Sequence, residues 1–370
     1  MREYLAVFGV AVAVTWVLAV AARELATRYG ATAKVRERDV HAVPIPYFGG
    51  VAMLGGLLAA FLVANHLPFL SRSYATVLGD ALPVMVGGTV ICLVGVVDDL
   101  FELDALSKFA GQVLAGVIAV AMGVQFLYLP FPGNYVAIDP VQSLLFSVFL
   151  IVLTANAVNF VDGLDGLASG VVAIGALALF LYAFLVAVQS GETRAVTTAF
   201  LTAALAGVCV GILPHNFFPA RMFIGDSGSM LLGFVLACSA ISLTGQFSAA
   251  SVTGDAQASL LPTLLPLVLP FTILLVPFLD LLMAVVRRTR AGRSPFSPDK
   301  MHLHHRLLEI GHSHRRAVVV MYAIAALVAF GSVVVSLYAG WRAYLGFAVL
   351  AAGTAAVVFW LPRWRRAPVR

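Results

Sequence analysis

Residues 141–166 read VQSLLFSVFLIVLTANAVNFVDGLDG, and this stretch decides the fold. No charge falls between Asp139 and Asp162, and the apolar run matches the roughly 20 residues a helix needs to cross hydrocarbon. Polarity then arrives abruptly. Asn156 and Asn159 close the run, and Asp162 and Asp165 follow in a turn punctuated by Gly163 and Gly166. An apolar rod ending in amides and carboxylates reads as a membrane span with chemistry at one end.

The same pattern repeats along the chain. Apolar runs near 4–22, 48–66, 81–97, 109–124, 141–160, 167–188, 198–214, 229–245, 259–286, 317–338 and 343–361 predict about eleven transmembrane helices. A composition of 61% hydrophobic and 11% charged residues excludes a soluble domain, which could not bury that much apolar surface. The fold class is therefore an all-α integral membrane protein, a single polytopic domain over 1–370. The first run has only Arg2 before it, and its other positive charges follow it, so it reads as a retained helix and not a signal peptide. Cys92, Cys209 and Cys238 sit alone in apolar runs and read as reduced packing residues.

An N-terminus outside and a C-terminus in the cytoplasm place 19 of the 23 Lys and Arg residues on the inner side. That asymmetry is the positive-inside pattern. It also places 287–316 as a cytoplasmic His/Arg loop and 362–370 as a basic cytoplasmic tail. The outer loop 125–139 alternates apolar residues around Pro132-Gly133-Asn134, as a small periplasmic hairpin would.

With this topology the carboxylates gather on one face. Asp98 and Asp99 end the third run, where a helix C-terminus disfavours adjacent negative charge. They are either solvated loop residues, beside Glu102, Asp104 and Lys108, or holders of a cation. Their clustering favours the cation. Asn156, Asn159, Asp162 and Asp165 could be helix caps, but capping needs one such residue and here there are four. Asp226, in Gly225-Asp226-Ser227-Gly228-Ser229, taken alone is an N-cap at a helix start, a place that can also bind anions. Asp280 lies within an apolar run and is expected to face a polar interior. Between Arg287 and Arg316, His302, His304, His305 and Arg306 suit a phosphate better than zinc, since no Cys or HExxH pattern accompanies them. A membrane enzyme acting on a phosphorylated substrate fits this set. A secondary transporter is the reading from another class, but it would place its polar residues near the midplane.

In this order, Pro44-Ile45-Pro46-Tyr47-Phe48-Gly49-Gly50, Asp98-Asp99, the run Asn156 to Gly166 and Gly225 to Ser229 resemble the polyprenyl-phosphate N-acetylhexosamine-1-phosphate transferase superfamily. His302-Leu303-His304-His305-Arg306 resembles its bacterial, tunicamycin-sensitive UDP-GlcNAc branch, because the muramoyl-pentapeptide branch carries three consecutive histidines there. The resemblance implies transfer of GlcNAc-1-phosphate from UDP-GlcNAc to a polyprenyl phosphate (undecaprenyl or decaprenyl), giving GlcNAc-diphospho-polyprenol and UMP. That would be the first membrane step of a cell-envelope glycan, at the cytoplasmic face of the bacterial inner membrane. A sister enzyme using another UDP-hexosamine or UDP-MurNAc-pentapeptide is the near alternative.

The resemblance also implies residue roles. Asp226 would ligate Mg2+ (Mn2+ as a substitute), with Asp98, Asp99 and Asp162 as further ligands or outer partners and Asp98 as the base for the lipid phosphate. Asn216 and Phe223 would contact uridine, Asn159 and Asp165 would line the same pocket, and His304, His305 and Arg306 would contact phosphate. A helix starting at Ser297 would turn His304 away from that face. The lipid bilayer is a partner and nucleic acid is not; a homodimer is compatible with the sequence, which does not fix the oligomeric state.

Overall fold

The structure is a computed structural model that describes residues 1–32, 44–72, 77–131, 134–190, 193–244 and 313–337, together with 286, 289–290, 292, 341–342, 345–350 and 352–353. Its elements are helices α1 (Arg2–Arg28), α2 (Gly49–Ala64), α3 (Pro68–Arg72), α4 (Val77–Phe101) and α5 (Ala105–Ala121), strands β1 (Tyr128–Phe131) and β2 (Asn134–Ala137), and helices α6 (Pro140–Val161), α7 (Leu167–Ser190), α8 (Thr193–Asn216), α9 (Gly225–Thr244) and α10 (His314–Leu337).

Seven of these helices (α1, α4 and α6–α10) are long and apolar enough to cross a membrane, and α2 and α5 are shorter apolar helices. Nine of the eleven sequence runs thus appear as helices among the described residues. The run 259–286, with Asp280, lies outside them except for residue 286. Of 343–361 only 345–350 and 352–353 are described, and those residues are helical. The all-α integral membrane architecture stands, with one small addition. The expected hairpin is present as an antiparallel pair, with Tyr128 opposite Ala137 and Phe131 opposite Asn134.

Local chemistry sets the helix boundaries. The Asp104 carboxylate accepts the amides of Leu106 and Ser107 (2.9 and 3.0 Å) and starts α5. These hydrogen bonds, led by the one from the Ser107 hydroxyl, hold its pKa below the usual carboxylate range. Asp139 does the same for α6, accepting Val141 N at 2.8 Å and Gln142 N at 3.1 Å, with Pro140 at the first helical position.

The bundle is layered around α9. α8 and α9 are almost wholly enclosed, whereas α1 and α10 leave most of their surface outside. α4, α6, α2 and α8 pack on α9, α1 lies along α8 and α2, and α10 lies along α7. Small residues permit these approaches, as between helices in lipid, where backbones must come close to gain dispersion contacts. A Cβ on Gly95 of α4 would sit 2.3 Å from Ser227 Cα, and one on Gly233 of α9 would sit 2.6 Å from Ala155 Cα of α6. Exposed apolar side chains such as Leu5, Val17, Leu145, Phe149 and Val319 form the outer surface, which suits contact with lipid. All three cysteines are free and buried, in line with a packing role.

Candidate functional site

Three chain segments meet where α4 ends and α9 begins. The loop before α2 is tied to the loop before α9: Phe223 N donates to Pro46 O (3.0 Å), Gly49 N to Phe223 O (3.1 Å) and Gly50 N to Ile224 O (3.0 Å). Phe48 takes a left-handed φ of 77° to make this turn. The Tyr47 and Phe223 rings lie 6.2 Å apart.

Asp99 crosses from the end of α4 to the start of α9. Its carboxylate accepts the amides of Asp226 (2.8 Å) and Ser227 (3.2 Å) and the Ser227 hydroxyl (2.8 Å). This answers two sequence expectations. The unfavourable charge at the α4 C-terminus is offset by the positive N-terminal end of α9. The anion position at the α9 start is filled by the protein's own carboxylate, and Asp226 is not the N-cap. Asp226 lies in the first turn of α9, and its carboxylate faces Asn159 and Lys108.

The Asp226 carboxylate is held by Asn159 on one oxygen and by Lys108 on the other. One oxygen accepts Asn159 Nδ2 at 2.6 Å, and Asn159 also donates to Ser229 Oγ at 2.8 Å. The other oxygen pairs with Lys108 Nζ, which also lies 2.9 Å from Asp98 Oδ2. Asp98 uses its second oxygen to accept Leu103 N at 2.8 Å, holding the α4–α5 corner, where Glu102 has φ 51°. Asp98 and Asp226, 128 residues apart in sequence, thus converge on one cation.

Asp162 ends α6 as its C-cap. Burial of the carboxyl group, then the charges of Asp226, Asp99 and Asp165, push its pKa well above the ordinary value. Asp165 is buried and accepts Ala220 N at 2.9 Å. Asn216, buried at 2% exposure, has both ends of its amide engaged: Gly166 N and Ser169 Oγ donate to its oxygen, each at 3.1 Å, and its nitrogen donates to Met222 O at 3.1 Å. Asp165 and Asn216 therefore brace the 162–166 turn against the 217–222 loop. The N-terminus of α10 joins them: Tyr322 OH donates to Gly166 O, Arg315 Nε to Phe218 O at 3.0 Å, and His314 stacks on Phe218 at 4.9 Å.

The residue types fit a divalent ion at two points and not at three. Asp98 and Asp226 already share a cationic partner, and hard cations favour such oxygen donors. Asp99, expected as a third ligand, directs its oxygens to backbone amides and a hydroxyl. No group of three or more His, Cys, Asp or Glu residues suited to a metal occurs among the described residues.

An open apolar groove of about 310 Å³ adjoins this cluster between α4 and α5, lined by Val90, Leu93, Val94, Val97, Leu103 and Ser107. Ser107 precedes the Lys108 that meets both carboxylates.

Comparison with known proteins agrees with this geometry. Residues 81–244, which hold nearly the whole cluster, match the model of glycosyl transferase family 4. A decaprenyl-phosphate N-acetylglucosaminephosphotransferase of Mycobacterium tuberculosis is 46% identical over 337 residues, 90% of this chain and 82% of the relative. The chain belongs to this family, on its polyprenyl-phosphate N-acetylglucosamine phosphotransferase branch. An undecaprenyl-phosphate alpha-N-acetylglucosaminyl 1-phosphate transferase of Yersinia pestis is 30% identical over 85% of this chain and 79% of its own length. A phospho-N-acetylmuramoyl-pentapeptide-transferase of Desulforudis audaxviator is 31% identical over 89% and 97%.

Of the residues chosen from sequence, Asp98, Asp99, Asn159, Asp162 and Asp226 meet around the α4–α9 junction. Asp165, Asn216 and Phe223 lie in the adjoining loops. His304, His305 and Arg306 lie outside the described residues. Lys108 enters the sequence reading as an inner-side basic residue and as a neighbour of Asp98 and Asp99 in their solvated-loop alternative, not as a site residue. Its signal was available: a lone lysine at the head of an apolar run, ten residues after Asp98.

Proposed function

We propose that the protein transfers GlcNAc-1-phosphate from UDP-GlcNAc to a polyprenyl phosphate in the membrane, releasing UMP. The observation that carries the reading is the meeting of Asp98, Lys108, Asn159 and Asp226 beside an apolar groove, in a chain 46% identical to a transferase of this kind. An oxygen of the lipid phosphate attacks the sugar-bearing phosphorus, the P–O bond to the uridine phosphate breaks, and UMP leaves with that oxygen. Phosphoryl transfer needs positioning and charge neutralisation more than covalent help.

The chain's residues fit those tasks. Asp98 and Asp226 would hold Mg2+, with Mn2+ as substitute; when bound, the ion neutralises charge on the diphosphate. The Lys108 ammonium, between Asp98 and Asp226, would face a phosphate oxygen. Asn159 fixes the direction of Asp226. The groove between α4 and α5 can take the first isoprene units next to Lys108, keeping the lipid phosphate at the level of the carboxylates. The acceptor in the more similar relatives is decaprenyl phosphate, which is our choice here. Phe223, with Tyr47, offers a ring face for the uracil, and the braced 162–166 turn offers a wall. The asymmetry of Lys and Arg supports a site on the cytoplasmic side of the plasma membrane.

The test is purified protein with radiolabelled UDP-GlcNAc and decaprenyl phosphate. Label should pass into the organic phase with one UMP per lipid product; label that stays in water overturns the reading. In a panel of UDP-sugars, equal turnover of UDP-GalNAc or UDP-MurNAc-pentapeptide would remove the sugar assignment.

A further inference from the structure

One helical turn beneath Lys108, Asn159 and Asp226 lies a second polar layer on the same three helices. Gln112 follows Lys108 by four residues on α5, Met230 follows Asp226 by four on α9, and Asn156 precedes Asn159 by three on α6. Residues three or four apart share a helix face, so each member of the lower layer sits directly under one of the upper layer. The contacts repeat as well. Asn156 Nδ2 donates to Gln112 Oε1 at 2.6 Å, Gln112 Nε2 lies 3.3 Å from Asn156 Oδ1, and Gln112 Nε2 lies 3.0 Å from Met230 Sδ. Gln112 is 1% exposed.

An amide pair in this position is costly to bury and is tolerated because its partners are in place. Apolar side chains would fill the same space without that cost. What the pair adds is direction: hydrogen bonds have angular demands that dispersion contacts lack, so it fixes how α5, α6 and α9 are rotated against one another. Rotation about those axes is what carries the Lys108 ammonium toward or away from Asp226 and sets the Asn159–Asp226 bond.

We propose that Gln112, through its reciprocal amide pair with Asn156 and its contact with Met230, is a positioning residue that sets the Lys108–Asn159–Asp226 geometry for transfer. The proposal rests on the transferase reading, and wild-type turnover in the same assay tests that reading separately.

Three full-length variants, assayed beside wild type, are needed. Gln112→Met fills the space and keeps an apolar contact to Met230, but cannot pair with Asn156. Replacing both partners together (Gln112→Leu with Asn156→Leu) leaves no orphaned amide, a change that can be nearly neutral for folding. The exchange Gln112→Asn with Asn156→Gln restores a reciprocal pair. Misplacement of reacting groups by a fraction of an ångström to about 1 Å costs up to ~100-fold. We therefore expect kcat to fall about 10- to 100-fold in the first two variants, with KM for UDP-GlcNAc within about threefold and the thermal midpoint within a few degrees of wild type. The exchanged pair should recover a large part of kcat. Wild-type kcat in whichever of the first two variants folds would overturn the proposal. So would a kcat loss that only tracks a drop in thermal midpoint, or an exchange that recovers stability without rate.

Discussion

Asp99 and Asp226 each carry a carboxylate, and the two are put to different uses. Asp99 ties two helix ends together through the Asp226 and Ser227 amides, while Asp226 faces Lys108 and Asn159. Truncating Asp99 to Ala orphans partly buried donors, so unfolding should become easier by about 1–3 kcal/mol in a denaturant or thermal assay. Asp226→Asn keeps the shape and loses the charge; turnover should fall at least ~100-fold while the thermal midpoint holds. Asp162 gives a pH dependence. Its folded-state pKa is raised by burial and by the neighbouring carboxylates, so its stabilising contribution is complete below the ordinary carboxylate pKa and is lost as pH rises through the raised value. In chelator, wild-type thermal stability should decline with rising pH more than that of Asp162→Asn. These acids were legible in the sequence because carboxylates are rare in an apolar chain. Their division of labour was not, since a capping carboxylate and a cation-facing one have the same chemistry and differ only in which helix end approaches. Lys108 escaped for the same reason: its partners come from α4 and α9, and its own neighbours on α5 say nothing of them.

At the level of elements, the junction depends on how closely α4 and α9 approach. A methyl on Gly95 would meet Ser227 Cα at 2.3 Å, and the listener on the other side is backbone, which cannot swing aside. Gly95→Ala should destabilise by about 1–3 kcal/mol and lower activity out of proportion, because the displaced start of α9 carries Asp226. Activity equal to wild type at normal stability would show that the ends can separate without harm. Helix positions were readable from the apolar runs, which are long and bounded by polar residues. Helix ends were less so: α4 runs to Phe101, past its carboxylates, because Asp99 and Asp98 are held by the α9 amides and by Leu103 N. The five-residue α3 was not foreseen; its start depends on the Glu3 carboxylate, which accepts Phe69 and Leu70 amides from the far end of α1.

For the whole molecule, orientation is the property to test. Single cysteines placed at Glu102 and at Asp139, in an otherwise cysteine-free protein, should differ in labelling by a membrane-impermeant maleimide added to intact cells: Asp139 reacts and Glu102 does not. The reverse pattern would invert the topology and place the site outside. Overall class was legible from composition, because it is a sum over many residues. The pairing of particular helices was not, since an apolar face suits any other apolar face until small residues and polar contacts select among them.

Enclosure of α9 has a consequence for how the bilayer acts on this protein. A membrane thicker or thinner than the spans makes the helices in contact with lipid tilt. α1 and α10 contribute most of their surface to that rim, with the outer faces of α4, α6 and α7, whereas α9 turns almost none of its surface outward. Hydrophobic mismatch is thereby absorbed at the periphery, and the shaft bearing Asp226 stays upright inside a jacket of its own neighbours.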